Sequence, residues 1–489
     1  MSATQVQVHT TAIDGLLIVD LPRPGDNRGW FKENWQRAKA VEAGLPDFVP
    51  VQNNISFNGT RGTTRGIHAE PWDKYVSVAT GSIFGAWVDL RRGPGFGTVV
   101  THEITPSTAV FVPRGVGNAF QTLEDATAYT YLVTDHWSAD AQSAYSFVNL
   151  TDPQLAINWP IALDQAELSE KDRNHPLLAA VEPLPPVPVL VIGAGGQLGS
   201  ALTRELMERD LPYTAYTRSD LDLANPDGWP EDVRTGEGLR RYRAVINAAA
   251  HTAVDAAETP EGRIDAWAAN ATGVRALSGA CQRGGVPLAH VSTDYVFDGQ
   301  LPLGQFYTPD AAPAPVSVYG QSKAAGECAV TAWPKHYLVR TSWVIGSGHN
   351  FVATMARLAE NGVDPSVVSD QHGRLTSAAD LAAGLLHLVD SGAPYGTYHL
   401  TGSGEPTTWA EIARWTFEEL GHDPQRVTPV TTEEYTAGKT GIAPRPSNSC
   451  LDISSLDVVG FTPRDSAAVV REALERRTED RAERRRGLN

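Results

Sequence analysis

The chain has 489 residues, of which 42% are hydrophobic and 20% are charged, and its formal net charge is −17 at pH 7. That length allows two or three domains, each with its own core, and that composition is typical of a folded globular protein. The acidic balance argues against a nucleic-acid or anionic-membrane partner, because binding to phosphates requires a basic face.

The three cysteines, Cys281, Cys328 and Cys450, lie far apart and show no CxxC spacing. They predict neither a disulfide framework nor a thiolate metal site, which fits a reducing cytoplasm. The first twenty residues lack the basic start and apolar core of a signal peptide, and the chain has no apolar run long enough to span a membrane. We therefore expect a soluble cytoplasmic protein.

Two halves of the chain have different periodicities. Residues 11–150 form short alternating or β-branched runs separated by turns, such as "VSVATGSIFGAWVDL" and "TAVFVPRG", which predicts an antiparallel barrel or sandwich over 1–178. After residue 187, apolar strands alternate with glycine or polar turns and amphipathic helices, which predicts a doubly wound Rossmann-like domain over 188–475. The proline-rich residues 179–187 are interpreted as a stiff connector and 476–489 as the charged end of a helix.

A glycine turn follows the first strand of the second half. Gly193, Gly196 and Gly199 allow a tight turn and a close approach of the backbone to a pyrophosphate at a helix N-terminus, although such a turn also serves close packing alone. The next strand, "YTAYT", is followed by Arg218 rather than by an acidic residue. Because an arginine suits the 2′-phosphate of the cofactor, NADPH is favoured over NADH.

Tyr319 and Lys323 in "YGQSK" lie one helical turn apart on the same face. A nearby ammonium is expected to lower the pKa of the phenol, so that the tyrosine exchanges a proton with a carbonyl or carbinol oxygen. Alone, the pair is an ordinary contact between neighbouring turns. Its place downstream of the glycine turn, and after Ser292 and Thr293 in "STDYVF", favours catalysis.

These motifs, together with "VINAAAHTAVDAAE", "RTSWV" and "RPSNSCLD", resemble dTDP-4-dehydrorhamnose reductase, an extended short-chain dehydrogenase/reductase. The resemblance implies that Tyr319 protonates the C4 oxygen as NAD(P)H delivers hydride, that Lys323 tunes the phenol, and that Thr293 holds the oxygen. Further positions match cofactor contacts: Gly196, Gln197, Leu198, Asp222, Leu223, Ala248, Ala249 and Ala250. Asp294 and Trp343 match positions for the sugar nucleotide. Leu375 departs from the family, which commonly has proline there.

A small barrel with a mid-chain histidine first suggests a metal-binding cupin. "GIHAEPWDKYVSV" offers His68 and Glu70, but Lys74 follows, and its ammonium would repel a divalent cation. Asn118 stands where the late histidine ligand of a cupin is expected. We therefore predict no metal ion in this site.

The blocks "GDNRGWFKENW", "VQNNIS", "VPRGVGNAF", "YTYLVTDHW" and "LSEKD" resemble dTDP-4-dehydrorhamnose 3,5-epimerase over residues 10 to about 178. The resemblance implies His68 as the base, Asp172 as its orienting carboxylate, Tyr131 as the acid on the opposite face of the sugar, and Lys74 as the cation that stabilises the enolate. Substrate contacts are expected at Arg28, Glu33, Gln52, Asn54, Arg65, Asn118 and Lys171.

The first half also departs from its family. Asn118 replaces a histidine, and His136 and Trp137 replace a tyrosine pair after Tyr131. These changes leave open whether both carbons, C3 and C5, are epimerised. Taken alone, His68 is equally consistent with a satisfied core histidine, and Tyr131 with an aromatic on a strand face.

The product of the one family is the substrate of the other, so the sequence predicts a two-step enzyme of dTDP-L-rhamnose synthesis. Members of the barrel family are usually dimers that exchange strands, which by analogy predicts a homodimer. Two alternatives stay open: one half is a non-catalytic module that binds sugar nucleotides, or both halves act on another deoxyketosugar nucleotide.

Overall fold

The computed structural model describes residues 5–136 and 144–486, with side chains up to residue 478. The chain divides into two compact units, residues 1–186 and 187–489.

The first unit is built from two antiparallel sheets with strand orders β1-β2-β10-β7-β12-β5 and β13-β6-β11-β8-β9. Its strands are β1 (Gln7–Thr10), β2 (Leu17–Asp20), β3 (Gly25–Asp26), β4 (Gly29–Trp30), β5 (Gln52–Asn58), β6 (Thr64–Ala69), β7 (Lys74–Thr80), β8 (Ile83–Asp89), β9 (Val99–Ile104), β10 (Thr108–Val112), β11 (Val116–Thr122), β12 (Thr127–Val133) and β13 (Ser146–Phe147). Its helices are α1 (Arg37–Glu42) and α2 (Glu170–Arg173). The predicted antiparallel β architecture is confirmed.

One core cluster draws side chains from both sheets. Val76 and Val110 come from the first sheet, and Trp87 and Phe120 from the second, and all four are buried. Successive side chains of a strand point to opposite faces of the sheet. Every second residue along a strand, counted from one of these core residues, therefore also faces the interior. This alternation aims Tyr131, paired in register with Val76, at the barrel interior.

The proline-rich stretch is only partly an extended connector. Residues Leu178–Ala180 form a short 3₁₀ helix, and the backbone of Leu184 bonds to Leu90 at 2.8 Å and to Arg92 at 2.7 Å. The non-proline residues between the prolines keep their N–H groups, so they can still form backbone hydrogen bonds with the barrel. Most of the expected linker therefore packs on the first unit.

The second unit has a six-stranded parallel sheet in the order β15-β14-β16-β17-β18-β23, which confirms the predicted doubly wound architecture. Its strands are β14 (Val189–Ile192), β15 (Tyr213–Tyr216), β16 (Ala244–Asn247), β17 (Leu288–Thr293), β18 (His336–Thr341), β19 (Val344–Ile345), β20 (Ser366–Val368), β21 (His372–Gly373), β22 (Thr376–Ser377), β23 (Gly396–His399), β24 (Thr407–Thr408) and β25 (Thr428–Val430). Its helices are α3 (Gln197–Glu208), α4 (Glu231–Thr235), α5 (Pro260–Trp267), α6 (Val274–Gly284), α7 (Val318–Thr331), α8 (Phe351–Glu360), α9 (Ala378–Asp390), α10 (Trp409–Glu419), α11 (Thr432–Thr436), α12 (Ser454–Val458) and α13 (Ser466–Arg486).

Helices cover both faces of this sheet, which is why its central strands are mostly buried. Leu202 of α3 and Leu385 of α9 pack on one face, and Leu277 of α6 and Val330 of α7 pack on the other. Parallel strands place their carboxyl ends at one edge, so the glycine turn after β14 and the "STDYVF" motif after β17 open at the same edge.

The charged C-terminal segment belongs to a longer helix than its composition suggests. Helix α13 begins at Ser466, and Val469, Val470 and Leu474 are buried in a cluster with residues of α8 and α10. In the described residues, no helix combines the length and apolarity needed to cross a membrane.

A buried ion pair fixes helix α7 to strand β18. Arg340 donates to Glu327 at 2.8 Å, and the two side chains are only 5% and 4% exposed. Removing one partner leaves an uncompensated buried charge, so we expect Arg340→Met to lower the free energy of unfolding by about 3–5 kcal/mol. Urea unfolding of the full chain measures the loss.

The exposed pair of Arg471 with Glu419 provides the control, with side chains 51% and 41% exposed. We expect Arg471→Ala to cost less than about 1 kcal/mol. Equal costs for the two variants would contradict a structural role of the buried pair.

Candidate active sites

Strand β6 and helix α2 bring His68 and Asp172 together, although the two residues are 104 positions apart in the chain. His68 Nε2 lies 2.9 Å from Asp172 Oδ1. Ser169 caps α2 by accepting from the backbone N–H of Asp172, which fixes the carboxylate at the start of the helix. Because Nε2 is bonded to the carboxylate, Nδ1 is the ring nitrogen available to take a proton from a ligand.

His175 shares the same carboxylate oxygen, at 3.2 Å from Asp172 Oδ1. Burial acts to raise the pKa of Asp172, but hydrogen bonds and charge from His68 and His175 outweigh it, and the pKa of Asp172 is lowered. Burial, followed by the charge of His68, lowers the pKa of His175. The predicted orienting carboxylate is therefore anionic and serves two imidazoles, the second of which sequence reasoning missed.

His68, Asp172 and His175 also form a set of metal-ligating side chains, with ligand atoms within 4.8 Å of one another. Two imidazoles and a carboxylate are donors that zinc accepts. In this site, however, both short contacts are hydrogen bonds to one carboxylate oxygen, which is the arrangement of a base with its orienting acid.

Lys74 lies at the start of β7, and its ammonium is already paired. Lys74 Nζ contacts Glu70 Oε1 at 2.6 Å, with both side chains buried, and it lies 5.4 Å from the centre of the Tyr131 ring. Burial lowers the pKa of Lys74, while Glu70 opposes that shift. Glu70, which also accepts from the indole of Trp72 at 2.5 Å, is a member of this site without an assigned role in the sequence prediction.

Tyr131 is partly exposed on β12, next to Lys74. Burial raises the pKa of its phenol, the charge of Glu70 adds to the rise, and Arg65 acts against it. A neutral phenol is the form that can donate a proton. Tyr145 lies in the same aromatic group, with its ring 5.5 Å from Trp72, and the sequence prediction did not include it.

The predicted substrate contacts divide into two groups. Gln52 and Asn54 lie on β5, and Asn54 is paired in register with Tyr131; Gln52 donates to Asn54 at 2.9 Å. Lys171 lies 5.0 Å from the ring of Phe147, which itself packs on His68. These residues, together with Arg65, border the cluster.

Arg28 and Glu33 do not join it within this chain. Arg28 pairs with Asp26 and has a side chain 84% exposed, and Glu33 pairs with Lys39 on the surface, with a side chain 50% exposed. Within the described residues, the ion pairs of Arg28 and Glu33 are made with Asp26 and Lys39 and not with the other predicted site residues.

Asn118 is buried, and its amide is bonded to core side chains. It lies opposite His68 in the sheet register, but its amide accepts from Trp87 at 3.0 Å and donates to the hydroxyl of Tyr129 at 3.1 Å. Because both ends of the buried amide are satisfied by core side chains, its predicted contact with substrate is not supported. His136 is described at the end of β12, whereas Trp137 lies outside the described residues.

In the second unit, the glycine turn has the geometry that a pyrophosphate cradle needs. Gly193 has φ +84°, and a Cβ at Gly199 would lie 2.1 Å from the carbonyl oxygen of Gly193. Gly196 caps the twelve-residue helix α3 without a side chain over its N-terminus. The turn therefore fits a dinucleotide phosphate, because the backbone is bare and the helix end is open.

The other predicted cofactor positions surround this turn. Arg218 lies on the surface, 80% exposed, and contacts Asp222 at 3.3 Å. Leu198 and Leu223 are buried in core clusters, so their contacts with a cofactor would come from the backbone. Gln197 and the stretch Ala248–Ala250 follow the strands β14 and β16 at the same edge of the sheet.

Tyr319 and Lys323 are both buried on α7. We expected Lys323 to lower the pKa of the phenol. Instead, burial raises the pKa of Tyr319, the charge of Asp294 adds to the rise, and the hydroxyl of Thr293 acts against it. The direction is opposite to the expected one, and a raised pKa keeps the phenol protonated, which is the form that can donate a proton.

Lys323 donates to the backbone oxygen of Val291 at 2.7 Å and lies 3.3 Å from Nε2 of His290. Burial lowers the pKa of Lys323 to about 8, against the charge of Glu327. His290 is fully buried and was missed by sequence reasoning, although a histidine inside the apolar strand "LAHVST" is itself a signal.

Asp294 and Trp343 lie at the same edge of the sheet as Tyr319. Thr293 donates to Asp294 at 2.9 Å, and burial raises the pKa of Asp294 to about 6. Trp343 has φ +47° and stacks on Trp409 at 4.1 Å. Such a conformation is uncommon for a bulky residue and persists only where its surroundings hold it, as at a binding site.

The Leu375 departure from the reductase family has a local explanation. Leu375 is buried, and its backbone N–H donates to Ser466 Oγ at 3.0 Å. Proline has no N–H and could not make this bond. The replacement therefore changes how a loop is tied to α13, and not the residues around Tyr319.

The two units together define a short-chain-type reductase joined to an epimerase-like β barrel. Residues 187–479 match the family model of the RmlD substrate binding domain, and residues 10–180 match that of dTDP-4-dehydrorhamnose 3,5-epimerase. The chain belongs to the RmlD family, and an RmlC-type epimerase domain precedes its reductase domain.

Individual relatives match one half each. A "Protein RmlC homolog" of Streptococcus pyogenes serotype M6 is 52% identical over 179 residues, 36% of this chain and 90% of that protein. A dTDP-4-dehydrorhamnose reductase of Mycobacterium tuberculosis is 42% identical over 280 residues, 56% of this chain and 88% of that protein. The crystal structure of a Bacillus anthracis dTDP-4-dehydrorhamnose reductase in complex with NADP is 34% identical and has a TM-score of 0.53, covering 59% of this chain and 99% of that chain.

Proposed function

We propose that this chain carries out two successive steps of dTDP-L-rhamnose synthesis. The first unit epimerises C3 and C5 of dTDP-4-dehydro-6-deoxy-D-glucose, and the second reduces the C4 ketone with NADPH. The observation that carries the proposal is the presence, in one chain, of a His–Asp pair in an epimerase-family barrel and of a Tyr–Lys pair and a glycine turn in one reductase-family unit.

In the barrel, His68 removes the proton from the carbon beside the ketone. Asp172 orients the imidazole through Nε2 and stabilises the imidazolium that forms. The enolate needs a cation, and Lys74 is the buried ammonium close to Tyr131. Tyr131 then returns a proton to the other face of the carbon, which inverts its configuration.

Glu70 changes how Lys74 can stabilise the enolate. Its carboxylate holds the Lys74 ammonium at 2.6 Å, so the enolate oxygen shares Lys74 with Glu70 rather than receiving an unpaired charge. The pair keeps a buried cation in place before substrate arrives, which lowers the reorganisation needed when the oxyanion develops.

In the sheet-edge site, Tyr319 protonates the C4 oxygen. NADPH supplies the hydride when it is bound at the glycine turn. Thr293, whose hydroxyl is directed to the region between Asp294 and Tyr319, holds the oxygen, and Trp343 forms a wall for the sugar nucleotide. Lys323, whose Nζ donates to the backbone oxygen of Val291 on β17, acts on the phenol through its charge when it is protonated.

Arg218 provides a prediction on cofactor choice. Its guanidinium is exposed at the end of β15 and is available to a 2′-phosphate. We expect Arg218→Ala to raise KM for NADPH about tenfold, since a charge-assisted hydrogen bond contributes about 1.5–3 kcal/mol. KM for NADH should not change. Arg209→Ala, which removes another partly exposed arginine of the same unit, is the control and should alter neither value.

We further propose a cytoplasmic homodimer. Strand β5 is an edge of its sheet, and its outward residues Ile55 and Phe57 are 69% and 66% exposed. An apolar edge strand is a surface that a second chain can cover. The unpaired thiols of Cys281, Cys328 and Cys450 support a reducing compartment. Light scattering should give twice the chain mass of 52.6 kDa, and the mass of one chain would overturn the dimer.

The reaction is tested by incubating the full chain with the keto sugar in deuterated water, with and without NADPH. Deuterium at both C3 and C5 without NADPH, and dTDP-L-rhamnose only with NADPH, are the expected results. Deuterium at one carbon would limit the first step to that carbon. Absence of exchange, or of NADPH oxidation, would remove the corresponding unit from the proposal and leave it a non-catalytic module.

A further inference from the structure

A line of buried polar side chains runs beneath helix α7 and ends at Lys323. Asn247, at the end of β16, contacts Nδ1 of His290 at 2.9 Å. Nε2 of the same ring lies 3.3 Å from Lys323 Nζ. Asn247 and His290 are both 0% exposed and Lys323 is 2% exposed. Within the described residues, their hydrogen bonds run to one another and to the backbone.

The backbone fixes which way the Asn247 amide points. The N–H of Ala249 donates to Asn247 Oδ1 at 3.1 Å, so Oδ1 is the acceptor end and Nδ2 faces the imidazole. Nδ2 can only donate, and Nδ1 of His290 must therefore accept. In a neutral imidazole the proton then resides on Nε2.

This tautomer has a consequence for Lys323. An Nε2–H group directed at an ammonium places two donors face to face, whereas the amine form of lysine has a lone pair that accepts from it. The imidazole is held neutral, since burial and then the charge of Lys323 keep the pKa of His290 well below its usual value. The ring thus favours the amine over the ammonium of Lys323.

We propose that Asn247 and His290 are positioning residues that lock one imidazole tautomer and thereby lower the proton affinity of Lys323. The kinetic consequence rests on the proposed reductase function. Each reduction moves one proton from the phenol of Tyr319 to the sugar oxygen, and the phenolate must regain one. An ammonium one helical turn away, which gives up its proton readily, is a source for it.

Other charged groups also affect the protonation of Lys323. Glu327 raises the proton affinity of Lys323, and its carboxylate is shared with Arg340 of β18. The titratable or charged groups placed around Lys323 in the described residues are Tyr319 and Glu327 on α7, His290 on β17, Arg340 on β18, and Asp294 following β17.

The tautomer is tested first, by nitrogen NMR of the full chain labelled at histidine, without substrate or cofactor. The chain has 13 histidines, and the His290 signals are identified by their loss in His290→Phe. We expect a protonated Nε2 and an unprotonated Nδ1. The opposite tautomer would overturn the proposal while leaving the reductase function untouched.

Asn247→Asp is the near-isosteric switch. A carboxylate accepts from both the Ala249 N–H and Nδ1–H, so the proton moves to Nδ1 and Nε2 becomes an acceptor for the ammonium. The alkaline limb of kcat/KM for reduction, where the ammonium is lost, should move to higher pH by about one unit. The NMR signals should report the exchanged tautomer.

The double variant His290→Phe/Asn247→Asp separates the imidazole from the added charge. If the ring transmits the effect, Asn247→Asp shifts the alkaline limb much less in the His290→Phe background than in the natural one. An equal shift in both backgrounds would mean that only the charge acts, and would overturn the proposal. If Asn247→Asp fails to fold, the proposal is still tested by the tautomer of the natural chain and by the pH profile of kcat/KM in His290→Phe.

Discussion

His68→Asn should abolish deuterium incorporation into the keto sugar while leaving the reductase step intact. Asparagine keeps a group that can bond Asp172 but has no basic nitrogen to take the carbon proton. General base catalysis contributes about 10²–10⁴-fold, so we expect exchange to fall about 10³-fold. With the epimerised ketone supplied directly, NADPH oxidation should continue at the natural rate, because Tyr319 and Lys323 belong to the other unit.

His9→Asn is the matched control for this experiment. His9 Nε2 also lies 2.9 Å from a carboxylate, that of Asp20, but the two side chains are 51% and 41% exposed. The control removes the same kind of pair from the same unit, and exchange should stay at the natural level. If His68→Asn retained exchange within tenfold of the natural chain, His68 would not be the base.

Tyr319→Phe should give the reverse pattern. Loss of the phenol removes the proton donor to the C4 oxygen, and we expect reduction to fall about 10³-fold. Deuterium should still enter at C3 and C5. The variant should fold, because the ring packs with Val318, Ala257 and Ala266 and these contacts do not need the hydroxyl.

Tyr398→Phe controls for the loss of a tyrosine hydroxyl from the second unit. Its hydroxyl donates to the backbone oxygen of Pro394 at 2.6 Å, away from α7. Reduction should be unchanged by this variant. Equal losses in the two variants would indicate a folding defect, and full activity of Tyr319→Phe would exclude the phenol as the acid.

The fold of both units was predictable because hydrophobic periodicity is a local property. Alternation along "VSVATGSIFGAWVDL" marks β7 and β8. Helix boundaries were harder to predict. Helix α13 begins at Ser466 and includes buried apolar residues, whereas composition marks only the charged run at its C-terminal end. The packing of the connector was equally hard to predict, since the backbone of Leu184 bonds to Leu90 and Arg92, which are distant in sequence.

Candidate site residues followed from motifs, but their partners did not. The contact of Lys74 with Glu70 joins two residues four apart, yet it depends on how strand β7 enters the barrel. Asn118 matched a family position that suggested substrate, whereas Trp87 and Tyr129 occupy its amide. His175 was recognised only in the structure, where α2 places it beside Asp172.

By itself, the sequence determined the two architectures, their order, and the candidates for the reactive groups, because periodicity and motif spacing are properties of the linear chain. Only the tertiary structure decided the state of those groups. The phenol of Tyr319 is more weakly acidic and the ammonium of Lys323 more acidic than usual because burial disfavours charge, and burial is set by every element that packs around a residue.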